Sequence, residues 1–202
     1  MKFEALAIAD AKLITPQPAA DERGHFARLW CEDSFAQAGL TMAIAQTSVS
    51  FNRQAGTVRG MHFAWAPAQE AKLVRCARGR MQDVLLDLRP FSVSYLRWVA
   101  VLLIAEEYRT LYIPPGVAHG FQTAVDDTEV HYMMSERYLP ELLAGVRYDD
   151  PQFGIHWPLP VSQVSERDRN YADFDPEGHL RQYQAAHNAA QQAAQRAVHH
   201  AA

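Results

Sequence analysis

Between residues 6 and 174 the chain runs as short apolar stretches broken by Gly, Pro and paired Asp, and nowhere sustains an apolar stripe at helical spacing. This pattern predicts a mainly β chain, with strands over 71–76, 81–88, 96–105, 109–113 and 129–134. The first two read as a hairpin through Arg78-Gly79-Arg80, in which Val84, Leu86 and Leu88 alternate with Asp83, Leu85 and Asp87. Helix signals are few: 32–38 closes on Gly39, and Pro140 opens a short turn that ends by Gly145. Many short strands without crossover helices favour an all-β double-sheet jelly roll or barrel with a few short peripheral helices.

At 202 residues and 49% hydrophobic, the chain has enough apolar side chains for one well-filled core, expected over 1–178, without disulfides or a structural metal as staples. Cys31 and Cys76 form no framework and read as two free thiols of a reducing compartment. Nineteen basic against 23 acidic side chains, with no basic run, argue against nucleic acid as a partner. The N-terminal residues resemble no signal core and no stretch approaches membrane-spanning length, so a cytoplasmic protein with no membrane partner is expected. After Gly178 the composition turns to Ala, Gln and His, and 179–202 reads as a tail, a frayed helix or disorder, without core-forming residues.

A few residues stand out chemically. Lys72 shares a strand face with Val74 and Cys76: it either snorkels at a rim or places an ammonium inside the barrel, where an anion or developing oxyanion must meet it. Tyr132 lies on one face with Val130 and Met134, either as a core tyrosine with a satisfied hydroxyl or as a proton donor. Asp168, in Ser165-Glu166-Arg167-Asp168, is either a solvated turn residue or the group that orients a histidine. The run Pro114-Pro115-Gly116-Val117-Ala118-His119-Gly120-Phe121 resembles the second motif of the cupin β-barrels, whose histidine ligates metal in the metal-dependent members. The first such motif would supply two histidines and a carboxylate, whereas Phe63 and Ala64 follow His62 here. That donor set is too small for a catalytic zinc, iron or manganese, so a site without metal or other cofactor is expected. Histidine, lysine and tyrosine together suit proton transfer beside a carbonyl.

Six motifs in order carry a closer resemblance: Asp21-Glu22-Arg23-Gly24, Arg59-Gly60-Met61-His62, Lys72-Leu73-Val74-Arg75, Pro115 to Phe121, Asp149-Asp150-Pro151 with Ile155-His156-Trp157-Pro158, and Ser165 to Asp168. The chain resembles the dTDP-4-dehydrorhamnose 3,5-epimerase family of metal-independent cupins. The resemblance implies a base at His62 polarised by Asp168, an acid at Tyr132, and Lys72 and His119 at the 4-keto oxygen of a nucleotide-linked sugar. It also implies substrate contacts from Arg23, Phe26, Gln46, Arg59 and Tyr138, and a homodimer. Strict alternation puts Arg59 and His62 on opposite strand faces, so both reach one pocket only at a bulge or a strand end. The chain departs from the family pattern at Ser48, where Asn is expected, at Ala64, where Gln is common, and at Arg28, where many members are acidic. These departures are expected near sugar or nucleotide contacts, which leaves open a single-centre epimerase, a keto-sugar isomerase or a non-catalytic sugar-nucleotide-binding cupin.

Overall fold

The stretch 128–134 sets Thr128, Val130 and Tyr132 at alternate positions, and in the computed structural model, which describes residues 1–200 with side chains through Arg196, it is a strand. In chain order the strands are β1 (Lys2–Ala5), β2 (Lys12–Thr15), β3 (Ala19–Asp21), β4 (Gly24–Phe26), β5 (Gln46–Asn52), β6 (Val58–Ala64) and β7 (Lys72–Arg78). They continue as β8 (Arg80–Asp87), β9 (Trp98–Ile104), β10 (Thr110–Ile113), β11 (Val117–Thr123), β12 (Thr128–Met134) and β13 (Leu143–Gly145). The helices are α1 (Glu32–Gln37), α2 (Glu166–Arg169) and α3 (Pro176–His200).

One sheet has six strands in the order β1-β2-β10-β7-β12-β5, the other five in the order β13-β6-β11-β8-β9, and β3 and β4 pair apart from both. The two large sheets enclose a core that includes Val74, Met81, Leu85, Leu111, Phe121 and Val130. Each such side chain, fully removed from water, contributes about 1.5–3 kcal/mol before entropy is counted. This is the expected all-β jelly roll.

The hairpin expected across Gly79 is corrected. β7 pairs with β10 and β12 in one sheet, and β8 pairs with β11 and β9 in the other, so Gly79 carries the chain between sheets. Its φ of +80° suits glycine, and a Cβ there would lie 2.8 Å from Thr128 Oγ1. The alternation read along β8 also needs correction, because Asp83, Val84, Leu85, Leu86, Asp87 and Leu88 are all buried. Met81 and Leu85 face the inter-sheet core, while Val84, Leu86 and Leu88 face a second cluster with Phe63 and Phe153, against which Trp157 and Phe174 pack. The C-terminal return thus covers the outer face of the five-stranded sheet. The turn expected from Pro140 to Gly145 is a 3₁₀ turn, Pro140–Leu142, followed by β13, which pairs with β6.

Residues 179–200, expected to lack core contacts, continue α3. His179 is buried, donates from Nε2 to the Leu88 carbonyl at 2.6 Å, and packs on Phe63, Trp65 and Phe174. Tyr183 and His187 follow at i+4 and i+8 as a partly buried stripe, an aromatic docking face that a search for aliphatic residues passes over. The His199-His200 side chains and residues 201–202 lie outside the described residues.

The register between β6 and β11 breaks once. His119 pairs with His62 and Phe121 with Arg59, so two steps along β11 face three along β6. The extra residue sits at Gly60-Met61, where Gly60 has φ +129° and a Cβ would approach Gly120 Cα to 2.4 Å. Gly60→Ala is therefore expected to lower stability by about 2 kcal/mol or more. A shift of the urea midpoint at unchanged slope measures it, and an unchanged midpoint would show that the close approach is dispensable.

Candidate active site

The break in register resolves the parity problem, since Arg59 and His62 both line a cavity of about 260 Å³ between the sheets. Arg59 is oriented by Asn52 of β5 in the other large sheet, whose Oδ1 accepts from its Nε at 2.7 Å. Asn52 is only 2% exposed and is itself fixed by donating to the carbonyls of Ser50 and Thr128. Asp168, on α2, reaches His62 across the sequence, with its Oδ1 2.6 Å from Nε2. Its Oδ2 accepts from Gly60 N at 3.2 Å, and its own N–H donates to Ser165 Oγ at the helix N-cap. Burial of this carboxyl would raise its pKa, but the His62 hydrogen bond and charge and the Gly60 and Ser165 bonds outweigh burial and hold it below the ordinary carboxylate range. An ionised carboxylate only accepts, so Nε2 carries the proton and the lone pair of neutral His62 falls on Nδ1.

Three further side chains line the same cavity: Lys72 at the start of β7, His119 on β11 and Tyr132 on β12. Lys72 is largely buried and ion-paired with Glu70 at 3.0 Å. His119 Nε2 lies 2.9 Å from Asp83 Oδ2, both side chains being buried, and Asp83 Oδ1 has no hydrogen-bond partner among the described residues. Burial raises the Asp83 pKa, against the charge and hydrogen bond of His119. Burial also pushes the Tyr132 phenol far above its ordinary value, Asp83 adds to this and Arg59 opposes it, so Tyr132 is a neutral donor over the physiological range. The Tyr132 and His119 rings meet edge to face, with centroids 6.1 Å apart. Gln46 and Tyr138 also line the cavity, and Gln46 Oε1 accepts from Tyr138 N.

Two expected site residues are not brought in. Arg23 and Phe26 sit on the β3–β4 hairpin, where Arg23 is paired with Asp21 and its side chain is 85% exposed, and Phe26 is 71% exposed. The single chain therefore leaves both away from the cavity. Of the three departures from the family pattern, only Ser48 lines it. Ala64 lines a separate cavity beside α3, with Trp65 and His179, and Arg28 lies beside Phe26 and Met1. Asn52, Asp83 and Glu70 were not singled out from sequence: each acts on a site residue through a fold contact, and only the i, i+2 spacing of Glu70 and Lys72 offered a signal. Among the described residues, no three His, Cys, Asp or Glu side chains are grouped to hold a metal.

The model of one protein family, dTDP-4-dehydrorhamnose 3,5-epimerase, matches residues 5–176. The chain belongs to that family. A dTDP-4-dehydrorhamnose 3,5-epimerase of Sinorhizobium fredii is 40% identical over 169 residues, covering 83% of this chain and 87% of the relative. A dTDP-4-dehydrorhamnose 3-epimerase of Streptomyces niveus is 36% identical over 84% of this chain and 82% of its own length. The crystal structure of the Bacillus anthracis 3,5-epimerase with TDP and pyrophosphate bound superposes with a TM-score of 0.83 at 34% identity, covering 86% of this chain and 99% of that one. The family match ends where α3 begins, so the docked helix lies beyond the part that defines the epimerase family.

The lowered Asp168 pKa fixes the sign of an acid effect. Its contribution to stability is fully present above the unfolded carboxyl's pKa of about 3.9 and is lost as pH falls through the lower folded value. Asp168→Asn should cost about 2 kcal/mol near neutral pH, and the gap from the unsubstituted protein should close below about pH 4. Urea midpoints of both proteins between pH 7 and 3 measure this, and a gap independent of pH would contradict the assignment.

Proposed function

We propose that this chain inverts carbon 3, carbon 5 or both of a nucleotide-linked 4-keto-6-deoxy sugar, with dTDP as the nucleotide. The observation that carries the reading is the placement of two proton carriers on opposing sheets: His62 on β6 of the five-stranded sheet and Tyr132 on β12 of the six-stranded sheet, both lining one cavity. Inversion requires a proton to leave one face of the sugar and another to arrive on the opposite face, and carriers on facing walls meet that requirement. His62 Nδ1 takes the hydrogen from the carbon beside the ketone, and Asp168 steadies the imidazolium so formed. Charge passes to the ketone oxygen as the enolate forms, where the Lys72 ammonium and His119 stabilise it. Tyr132 then donates from the other side. Arg59 lines both this cavity and the adjoining one of about 580 Å³ that includes Asp168, and its guanidinium would hold the diphosphate.

Incubation of dTDP-4-keto-6-deoxyglucose with the protein in deuterium oxide, read by mass spectrometry and NMR, tests this. Deuterium at carbons 3 and 5 with both centres inverted is the 3,5-epimerase outcome. Deuterium at one centre gives the single-centre reaction named for the Streptomyces niveus relative, and a moved carbonyl would make the chain a keto-sugar isomerase. His62→Ala should slow exchange by about 10²–10⁴-fold with nucleotide binding retained. Binding without any exchange by the unsubstituted protein would leave a non-catalytic sugar-nucleotide-binding cupin.

We further propose a homodimer in the cytoplasm. Strand β5 ends the six-stranded sheet and exposes Val49 and Phe51, an unpaired apolar edge of the kind that pairs with another chain. The exposed β3–β4 hairpin of a second copy would bring Arg23 and Phe26 to a cavity that its own chain does not offer them. Two free cysteines suit a reducing compartment, and among the described residues no helix is long and apolar enough to cross a membrane. Light scattering after size exclusion should give twice the mass of one chain at micromolar concentration, and Arg23→Ala should raise KM without changing that mass. A monomer that turns over substrate would refute the dimer.

A further inference from the structure

We propose that Glu70 is a positioning residue of this site, a carboxylate that holds the Lys72 ammonium on the line it must keep toward the substrate's ketone oxygen. The inference rests on the epimerase reading above and adds to it a residue that does not itself line the cavity. The Glu70 carboxylate lies 3.0 Å from Lys72 Nζ, with the two side chains 11% and 13% exposed, respectively. Lys72 lines the cavity and Glu70 does not, so the carboxylate stands behind the ammonium rather than beside the sugar.

The backbone around Glu70 is held on both sides by one residue. Ser135 Oγ donates to the Gln69 carbonyl at 3.0 Å and accepts from Ala71 N at 2.8 Å, while Ser135 N donates to the Ala71 carbonyl at 3.0 Å. Lys72 itself is pinned in β7 between Ile113 of β10 and Met134 of β12. Glu70 is therefore presented from a tethered loop, and Lys72 from the middle of a sheet. What remains free is the lysine's four-carbon stem, and the carboxylate restricts it.

The chemistry gives this restriction a purpose. An ammonium stabilises a developing enolate only if it already points at the oxygen when charge arrives, and a misplacement of about 1 Å can cost on the order of 100-fold in rate. A largely buried cation without a counter-charge would also swing toward whatever anion it could reach, the substrate's diphosphate included. Glu70 removes that alternative before substrate enters.

Glu70→Gln keeps the side chain's shape and removes its charge. It should lower kcat by about 10- to 100-fold while KM stays within about twofold, and Glu70→Asp should recover part of the loss. A second readout does not depend on turnover, because the chain has three lysines, Lys2, Lys12 and Lys72. In amine acetylation followed by peptide mass spectrometry, Lys72 should label faster in Glu70→Gln than in the unsubstituted protein, with Lys2 and Lys12 as internal references. An active unsubstituted protein whose Glu70→Gln variant has the same kcat, or the same labelling at Lys72, overturns the role of Glu70 and leaves the epimerase reading standing. An unsubstituted protein that neither exchanges nor turns over any keto sugar overturns that reading, and this role with it.

Discussion

The site depends on one irregularity of pairing. A strand with a period of two cannot aim residues 59 and 62 at the same side, and β6 does so because one extra residue at Gly60-Met61 faces β11. The bulge requires close backbone approach, and glycine stands on both strands where a side chain would collide, at Gly60 and Gly120. It also frees Gly60 N from the ladder, and Asp168 takes that hydrogen bond with the oxygen that does not face His62. One irregularity thus sets the direction of the arginine, the direction of the histidine, and part of the cradle for the carboxylate that selects the histidine's tautomer.

Two buried aspartates of β8 show how the same residue type serves stability and site. Asp87 is enclosed by Arg89, Ser92 and Ser94, whose hydrogen bonds overcome the burial that would raise its pKa, and it stays ionised as the anchor of the 87–97 turn. Asp83, four residues earlier, is hydrogen-bonded to His119 and, among the described residues, keeps one oxygen unpartnered, so burial prevails and its pKa rises. At that depth a carboxylate charge is kept only beside a compensating partner, and His119 is the group within reach. The first arrangement is satisfied in the free protein. The second leaves His119 poised next to Tyr132, where a developing negative charge would find a donor.

Much of this was legible in the sequence. The fold class followed from short apolar runs with turn residues between them, and His62, Lys72, His119, Tyr132 and Asp168 were marked by motif and by residue type. The pairing of strands was less legible: 71–88 has the pattern of a hairpin, but sheet membership is decided by partners far along the chain, and Gly79 serves a crossing as well as it serves a turn. The docking of α3 was hidden because His179, Tyr183 and His187 score as polar or amphipathic, although their rings pack as apolar surface. Asn52, Asp83 and Glu70 carry no motif of their own, since what defines them is the side chain each one holds. Arg23 and Phe26 match the family by position, yet in the single chain the β3–β4 hairpin holds both exposed and away from the cavity.

The C-terminal return joins stability to chemistry. Residues 146–174 cover the outer face of the five-stranded sheet through Val146, Phe153, Trp157 and Phe174, and in crossing it they deliver α2 with Asp168 beside His62. The His62–Asp168 bond spans 106 residues, so it forms only once that outer layer has docked. The apolar burial that fixes the layer therefore also fixes the tautomer of the histidine. A substitution at Phe153 or Trp157, remote from the cavity, would act on proton transfer through the position of one carboxylate, in proportion to how far the layer shifts.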